Sequence, residues 1–586
     1  MKQFFKQVAA VIVGVFFITA FMGIMTTIMI FSMVSTSESK TPLGKGAVLH
    51  LDLNGQISER VTENPFQELL GQQSLQEQGL DQILTAIKVA KDNDNIAGIY
   101  IESGVCATDF ASLEEIRKAL LDFKSSKKFI LAYGENYTQA GYYLASVADK
   151  IVLNPSGMLD WHGIASQPIF FKELMEKVGV KMQVFRVGTY KSAVEPFTST
   201  EMSPANRAQV QSFISDIWSN ICNDVAASRN LSADSLNSYA NKYIALADAQ
   251  EYVNLQLVDT LAYVDGVRDE LRSLAKQDKV QLVSVKDAAK YAPLPQHETI
   301  AVYYASGDIV GAEGMGGISG SQQIVGPKVV KDLDQLANDA TVKAVVIRIN
   351  SGGGSAYASE QMWRAIQLLK AKKPVVISMG GMAASGGYYM ACGADYIFAE
   401  PSTLTGSIGI FGMVPDLSGL LTEKIGLRFD VVKTNESSDF GTLNRPFNAA
   451  ESAAMQSYIN RGYALFLKRV AEGRGMTTEA VDSIAQGRVW TGKQALEVKL
   501  VDRLGTLEDA VAEAAKRAEL KNYSVISTPA QPNWLQQLTS SMTEKHYLEN
   551  HLRSALGEYY APLQFIQTLE GRDCIQARIP YLPNMK

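Results

Sequence analysis

The stretch GYYMACGADYIFAEPS, residues 387–402, repeats an earlier one, GYYLASVADKIVLNPS, residues 141–156. Nine of the sixteen aligned positions are identical, where unrelated sequences would share about one. The offset is 246 residues, 387 less 141, and it extends without a gap back to IAGIYIESG (96–104) over VKAVVIRIN (342–350). Further along, KVGVKMQVF (177–185) falls on KIGLRFDVV (424–432), VQSFI (210–214) on MQSYI (455–459), and LQLVDTL (255–261) on VKLVDRL (498–504). The body of the chain is therefore a tandem duplication, with copies at 46–290 and 298–525. Residues 286–297, with Pro293 and Pro295, mark the junction. Residues 1–40 precede the copies and a tail, 526–586, follows them.

Each copy shows the same order of elements. An apolar strand (96–101; 344–349) leads through a turn to an amphipathic helix (112–123; 359–371). A second strand follows (129–133; 374–379), then a further helix starting near Gly141 or Gly387. Met362, Ile366 and Leu369 stand at i, i+4 and i+7 and predict one buried helical stripe. Strands alternating with helices predict an α/β domain with a largely parallel sheet. In the tail a helix is predicted over 535–556, and the closing IQARIPYLP carries no catalytic pattern.

Composition excludes several function classes. The chain has 586 residues, 46% hydrophobic and 20% charged, which suits a globular protein and excludes wholesale disorder. A net charge of −6 argues against a nucleic-acid partner. Cys106, Cys222, Cys392 and Cys574 are too scattered for a C-x-x-C site, and their expected state is structural burial. The five histidines form no H-E-x-x-H pattern, which disfavours a zinc hydrolase, and with no metal-ligand cluster in the sequence no metal is expected. From Val8 to Val34 there is no charge. A helix of that length spans roughly 40 Å, more than the hydrocarbon core of about 30 Å and longer than a cleaved leader's apolar region. Lys2 and Lys6 before it and Glu38 after it predict a single uncleaved transmembrane helix, N-terminus cytoplasmic and body extracytoplasmic.

The duplication lets the copies be compared with each other. The second has INSGGGSAYASE (349–360) where the first has SGVCATDFASLE (103–114). Such a glycine-rich turn between strand and helix suits a structural turn, a phosphate loop or an oxyanion hole. In MAASGGYY (382–389), Ser385 stands at a strand-to-helix turn where the first copy has Gln139. It is placed either to cap the helix or to act as a nucleophile. No histidine motif accompanies it, which disfavours a Ser–His–Asp triad and leaves His162 as the histidine to check. Lys191, in GTYKSAVEPF (188–197), is the candidate base, although a single lysine is by itself an ordinary surface charge. A base must lose its proton, so Lys191 has to be buried away from carboxylates, and pairing with Glu195 would defeat it.

The motifs MAASGGYY, YKSAVEPF and TGSIGIFG (405–412) resemble, in kind and order, those of the signal peptide peptidase A (protease IV) family in its long two-repeat form. That family consists of serine-lysine peptidases of the Clp-protease/crotonase-like superfamily, and the resemblance covers nearly the whole chain. One departure is visible: the family's loop often reads S-P-G-G, and here it is Ser351-Gly352-Gly353-Gly354. The resemblance implies Ser385 as nucleophile, Lys191 as general base and Ser407 as the residue that orients the lysine, with Trp161 at its place in the first copy. It implies oxyanion donors at Gly353 and Gly386, and a Clp-protease/crotonase-like fold in each copy. It further implies a homotetramer on the outer face of the bacterial cytoplasmic membrane that degrades remnant signal peptides. One site would be divided between the copies, the first supplying lysine and the second supplying serine and glycine loop. An acyl-CoA enzyme of crotonase type and a non-catalytic scaffold are the rival classes.

Overall fold

The computed structural model describes residues 6, 13–25, 42–61, 77–293, 298–312, 323–531 and 575–578. Of the span expected at 8–34, only 13–25 falls among them, as a helix with exposed side chains. Among the described residues no helix is long and apolar enough to cross a membrane. The helix expected over 535–556, and Cys574, lie outside the described residues.

Each copy folds around its own sheet. The first runs Glu77–Gly79, Ala47–Ser58, Ile96–Ala107, Phe129–Gly134, Lys150–Leu153, Thr260–Leu261, with Leu282–Ser284 also beside Ala47–Ser58, and every pairing is parallel. The second runs Val489–Thr491, Leu404–Gly406, Val375–Ala384, Val342–Ser351, Thr299–Ser306, Ser524–Thr528. It is parallel except where Val489–Thr491 meets Leu404–Gly406. The expected strand–helix order is observed, with helices Phe110–Phe123 and Ala356–Lys370 at matching places. Met362, Ile366 and Leu369 are buried as their spacing required. Cys106, Cys222 and Cys392 are buried free thiols.

A third sheet joins the copies. Its order is Gln323–Val325, Asp308–Val310, Gly353–Ser355, Ile575–Arg578, Phe411–Asp416, Lys181–Arg186. The strand leading to Lys191 thus belongs to the first copy but pairs, antiparallel, with the second. Its counterpart at 428–433 forms no strand, and Phe429, Val431 and Val432 there are exposed. Here the two copies part company.

The copies are locked against each other. Met382, Ala384, Leu404 and Val489 of the second pack into the apolar core of the first. Beside them Arg348, 1% exposed, donates to Glu59 at 2.9 Å, to Glu115 at 2.7 Å and to Ser378 at 2.9 Å. Both carboxylates come from the first copy. Removing one partner of a buried pair costs about 3–5 kcal/mol, so this contact holds the relative register of the two domains.

Candidate active site

Ser385 ends the buried strand Val375–Ala384 and precedes the short helix Gly386–Ala391. Its backbone has φ 54° and ψ −110°, and its side chain caps nothing. A non-glycine residue in such a conformation costs about 1–3 kcal/mol. A strained serine at a strand-to-helix turn is the backbone setting of a nucleophile elbow. The turn is held by the Ser385 amide donating to the Gly406 carbonyl at 2.8 Å and by the Tyr389 amide donating to the Ser385 carbonyl at 2.8 Å.

Lys191 reaches this hydroxyl from the other copy. Its Nζ donates to Ser385 Oγ at 2.7 Å, to Ser407 Oγ at 3.1 Å and to the Ser407 carbonyl at 3.0 Å. The side chain is 1% exposed, and burial alone holds its ammonium well below the usual lysine range. Glu195, the nearby carboxylate that could have undone this, is engaged elsewhere. It accepts from Ser203 Oγ at 2.6 Å, from the Ser203 amide at 3.2 Å and from Asn206 Nδ2 at 2.8 Å. His162 is remote in role: its Nδ1 meets Asp160 at 2.7 Å, and its amide donates to Gln139.

Two glycines missing from the sequence reading shape the lysine's channel. At Gly487 (φ 80°) a Cβ would lie 2.6 Å from the Lys191 amide nitrogen, and at Gly409 one would lie 3.2 Å from Lys191 Cδ. The Gly487 amide also donates to the Ile408 carbonyl at 2.9 Å, and the Ser407 amide to the Arg488 carbonyl at 2.7 Å. The segment 486–488 therefore ties the lysine turn to the Ser407 turn. Isolated glycines in loops carry no local pattern, and only their neighbours in space reveal the need for them.

Gly353 and Gly386 also meet here. Gly353 has φ 99°, and a Cβ on it would stand 2.7 Å from the Gly386 amide nitrogen. The Gly353 amide donates to Ser351 Oγ at 3.1 Å. All five residues singled out in the sequence thus converge on one buried corner between the copies.

An α/β domain repeated in tandem, with a strained serine turn facing a buried lysine, marks the class of serine peptidases. The family model for Peptidase family S49 matches residues 122–278 and 367–521, and that for Clp protease matches 319–403. Protease 4 of Salmonella typhi is 39% identical over 536 residues, 88% of this chain and 85% of its own. Protease 4 of Haemophilus influenzae is 35% identical, over 84% of this chain and 83% of its own. The chloroplastic serine protease SPPA of Arabidopsis thaliana is 32% identical, over 81% and 70%. The chain belongs to peptidase family S49, as a two-repeat serine peptidase.

Proposed function

We propose that this peptidase is a membrane-anchored endopeptidase with Ser385 as nucleophile and Lys191 as general base. The observation that carries this reading is the 2.7 Å contact between a buried, carboxylate-free Lys191 Nζ and Ser385 Oγ. Neutral Lys191 takes the hydroxyl proton while Oγ attacks a peptide carbonyl carbon. The oxyanion forms against the backbone at Gly353 and Gly386, where pre-positioned amides would be worth about 10²–10³ in rate each. Protonated Lys191 gives its proton to the leaving amine, and water, activated by the same lysine, then hydrolyses the acyl-enzyme. Ser407 keeps the lysine amine aimed through its hydroxyl and carbonyl.

The substrates of this reading are apolar, extended peptides, remnant signal peptides foremost, at the outer face of a bacterial cytoplasmic membrane. The uncharged stretch 8–34 supports an anchor beside the bilayer. Exposed Phe429, Val431 and Val432 support assembly of several copies, a homotetramer in this reading. A serine-directed fluorophosphonate tests the site. It should acylate the wild type and leave Ser385→Ala unlabelled; equal labelling of the two would refute the assignment.

A further inference from the structure

Gln209 is buried on the long helix Pro204–Arg229 of the first copy and reaches across to the second. Its Nε2 lies 3.1 Å from each of three acceptors, the Tyr190 carbonyl, Ser192 Oγ and Asn206 Oδ1. Tyr190 and Ser192 stand on either side of Lys191. Its Oε1 accepts from the Val489 amide of the second copy at 3.2 Å. One side chain thus uses both ends of its amide to join the lysine turn to the strand Val489–Thr491. That strand leads directly to the serine. Val489 lies opposite Gly406, whose carbonyl accepts from the Ser385 amide, while the adjacent Arg488 carbonyl accepts from the Ser407 amide.

Asn206 extends the same network. With its Oδ1 facing Gln209, its Nδ2 is the end that donates to Glu195, at 2.8 Å from Oε2. Glu195 is the carboxylate that would defeat Lys191 as a base, and this bond helps to keep it occupied. The two copies differ at this place as they do at the site. Helix Ala449–Arg474 is the counterpart of Pro204–Arg229, 245 residues on, 449 less 204, and the match of 210–214 to 455–459 has the same offset. Gln209 therefore falls on Ala454, which is exposed and has no polar side-chain atom. The copy that carries the lysine carries the glutamine, and the copy that lacks the one lacks the other.

We propose that Gln209 is a positioning residue for the reaction: it fixes the lysine turn of the first copy against the serine turn of the second and, through Asn206, keeps the Glu195 carboxylate off the lysine amine. This rests on the assignment of Lys191 as general base made above.

The test is peptide turnover by Gln209→Met, which keeps the side chain's length and removes its hydrogen bonds. Rates are expressed per active site titrated with a fluorophosphonate, so that loss of folded protein does not count. kcat should fall about 10- to 100-fold with KM held within about twofold, since a misplacement of about 1 Å costs about 10²-fold. The acid limb of the kcat profile should move to higher pH, because a released Glu195 favours the charged lysine. Gln209→Glu, which brings a carboxylate to the lysine turn, should move the limb the same way and replaces Gln209→Met if that variant does not fold. A kcat per titrated site within about twofold of wild type, with the acid limb unmoved, overturns the proposal even if Tm falls. Failure of both variants to fold would make Gln209 a structural residue and overturns it too. Lys191→Arg in the same assay separates the two assignments. If it is inactive while Gln209→Met is not impaired, only the role of Gln209 falls; if Lys191→Arg keeps the wild-type rate, the general base falls and this proposal with it.

Discussion

The turn at Ser385 and the turn at Gln139 occupy the same place in the two copies, and their local physics is opposite. In the second copy the helix begins at a strained, uncapped serine. In the first, Thr138 caps Gln139–Ala145 by accepting from the Gly141 amide at 3.1 Å. Gln139 then closes the space beyond: its Oε1 accepts from the His162 and Gly163 amides at 3.0 Å, and its Nε2 donates to the Gly163 carbonyl at 3.1 Å. Where Ser407 holds the lysine, Trp161 instead packs against Tyr142 and Trp218 and donates to the Leu236 carbonyl. Strain and a buried ionisable side chain are costs. The first copy has shed both, and the second keeps them where a reaction needs them.

The contrast can be broken most severely at the lysine. Lys191→Arg keeps the charge but can never be a neutral base, and kcat should fall by about 10²–10⁴. Peptide turnover above about a tenth of the wild-type rate would exclude general-base catalysis by Lys191. In the wild type, kcat should rise with pH through the lowered pKa of Lys191 and then level off. Gly353→Ala comes next. Its φ of 99° and the crowding at its missing Cβ predict a fall in rate of about 10²–10³ with the fold retained, read by turnover and circular dichroism. Ser407→Ala removes one neutral hydrogen bond to Lys191, and kcat should drop by only about 2- to 10-fold.

The other copy offers the complementary test. In a Ser385→Ala background, Gln139→Ser should give no peptidase activity, since that turn lacks both lysine and strained geometry. It should cost about 1–3 kcal/mol of stability for the buried amides left unpaired, measured by denaturant unfolding. The smallest effect concerns stability against pH. A lysine whose folded pKa lies below its unfolded value binds fewer protons when folded, so stability rises with pH between the lowered value and the ordinary lysine value. Lys191→Met should therefore raise Tm near neutral pH, with the gain shrinking as pH approaches that of a free lysine.

Much of this contrast is legible in the sequence, because each copy serves as a reference for the other. The pairing of 96–104 with 342–350 located the central strands, and the Gln139/Ser385 and Trp161/Ser407 differences marked the corner of interest. The glycine loop is different: its sequence suits a turn, a phosphate loop or an oxyanion hole equally, and its closeness to Gly386 is visible only in space. Gly409 and Gly487 were missed because their requirement is steric and arises across the chain. The tail was missed for a similar reason. IQAR is too short to show alternation, and its two partners stand more than 150 residues away in sequence. The match of 177–185 to 424–432 does not carry over to structure, since only the first of these segments forms a strand, where it has Phe411–Asp416 to pair with.

The central claim is that one chain builds one site from its two copies, Lys191 of the first facing Ser385 of the second. Co-expression of Ser385→Ala chains with Lys191→Ala chains, followed by purification of the mixed assemblies and assay of peptide turnover, tests it most directly. Every chain in such an assembly lacks one half of its own pair, so the account predicts activity no higher than that of either variant alone. Recovery well above both would show that the lysine reaches the serine of a neighbouring chain, and would contradict it.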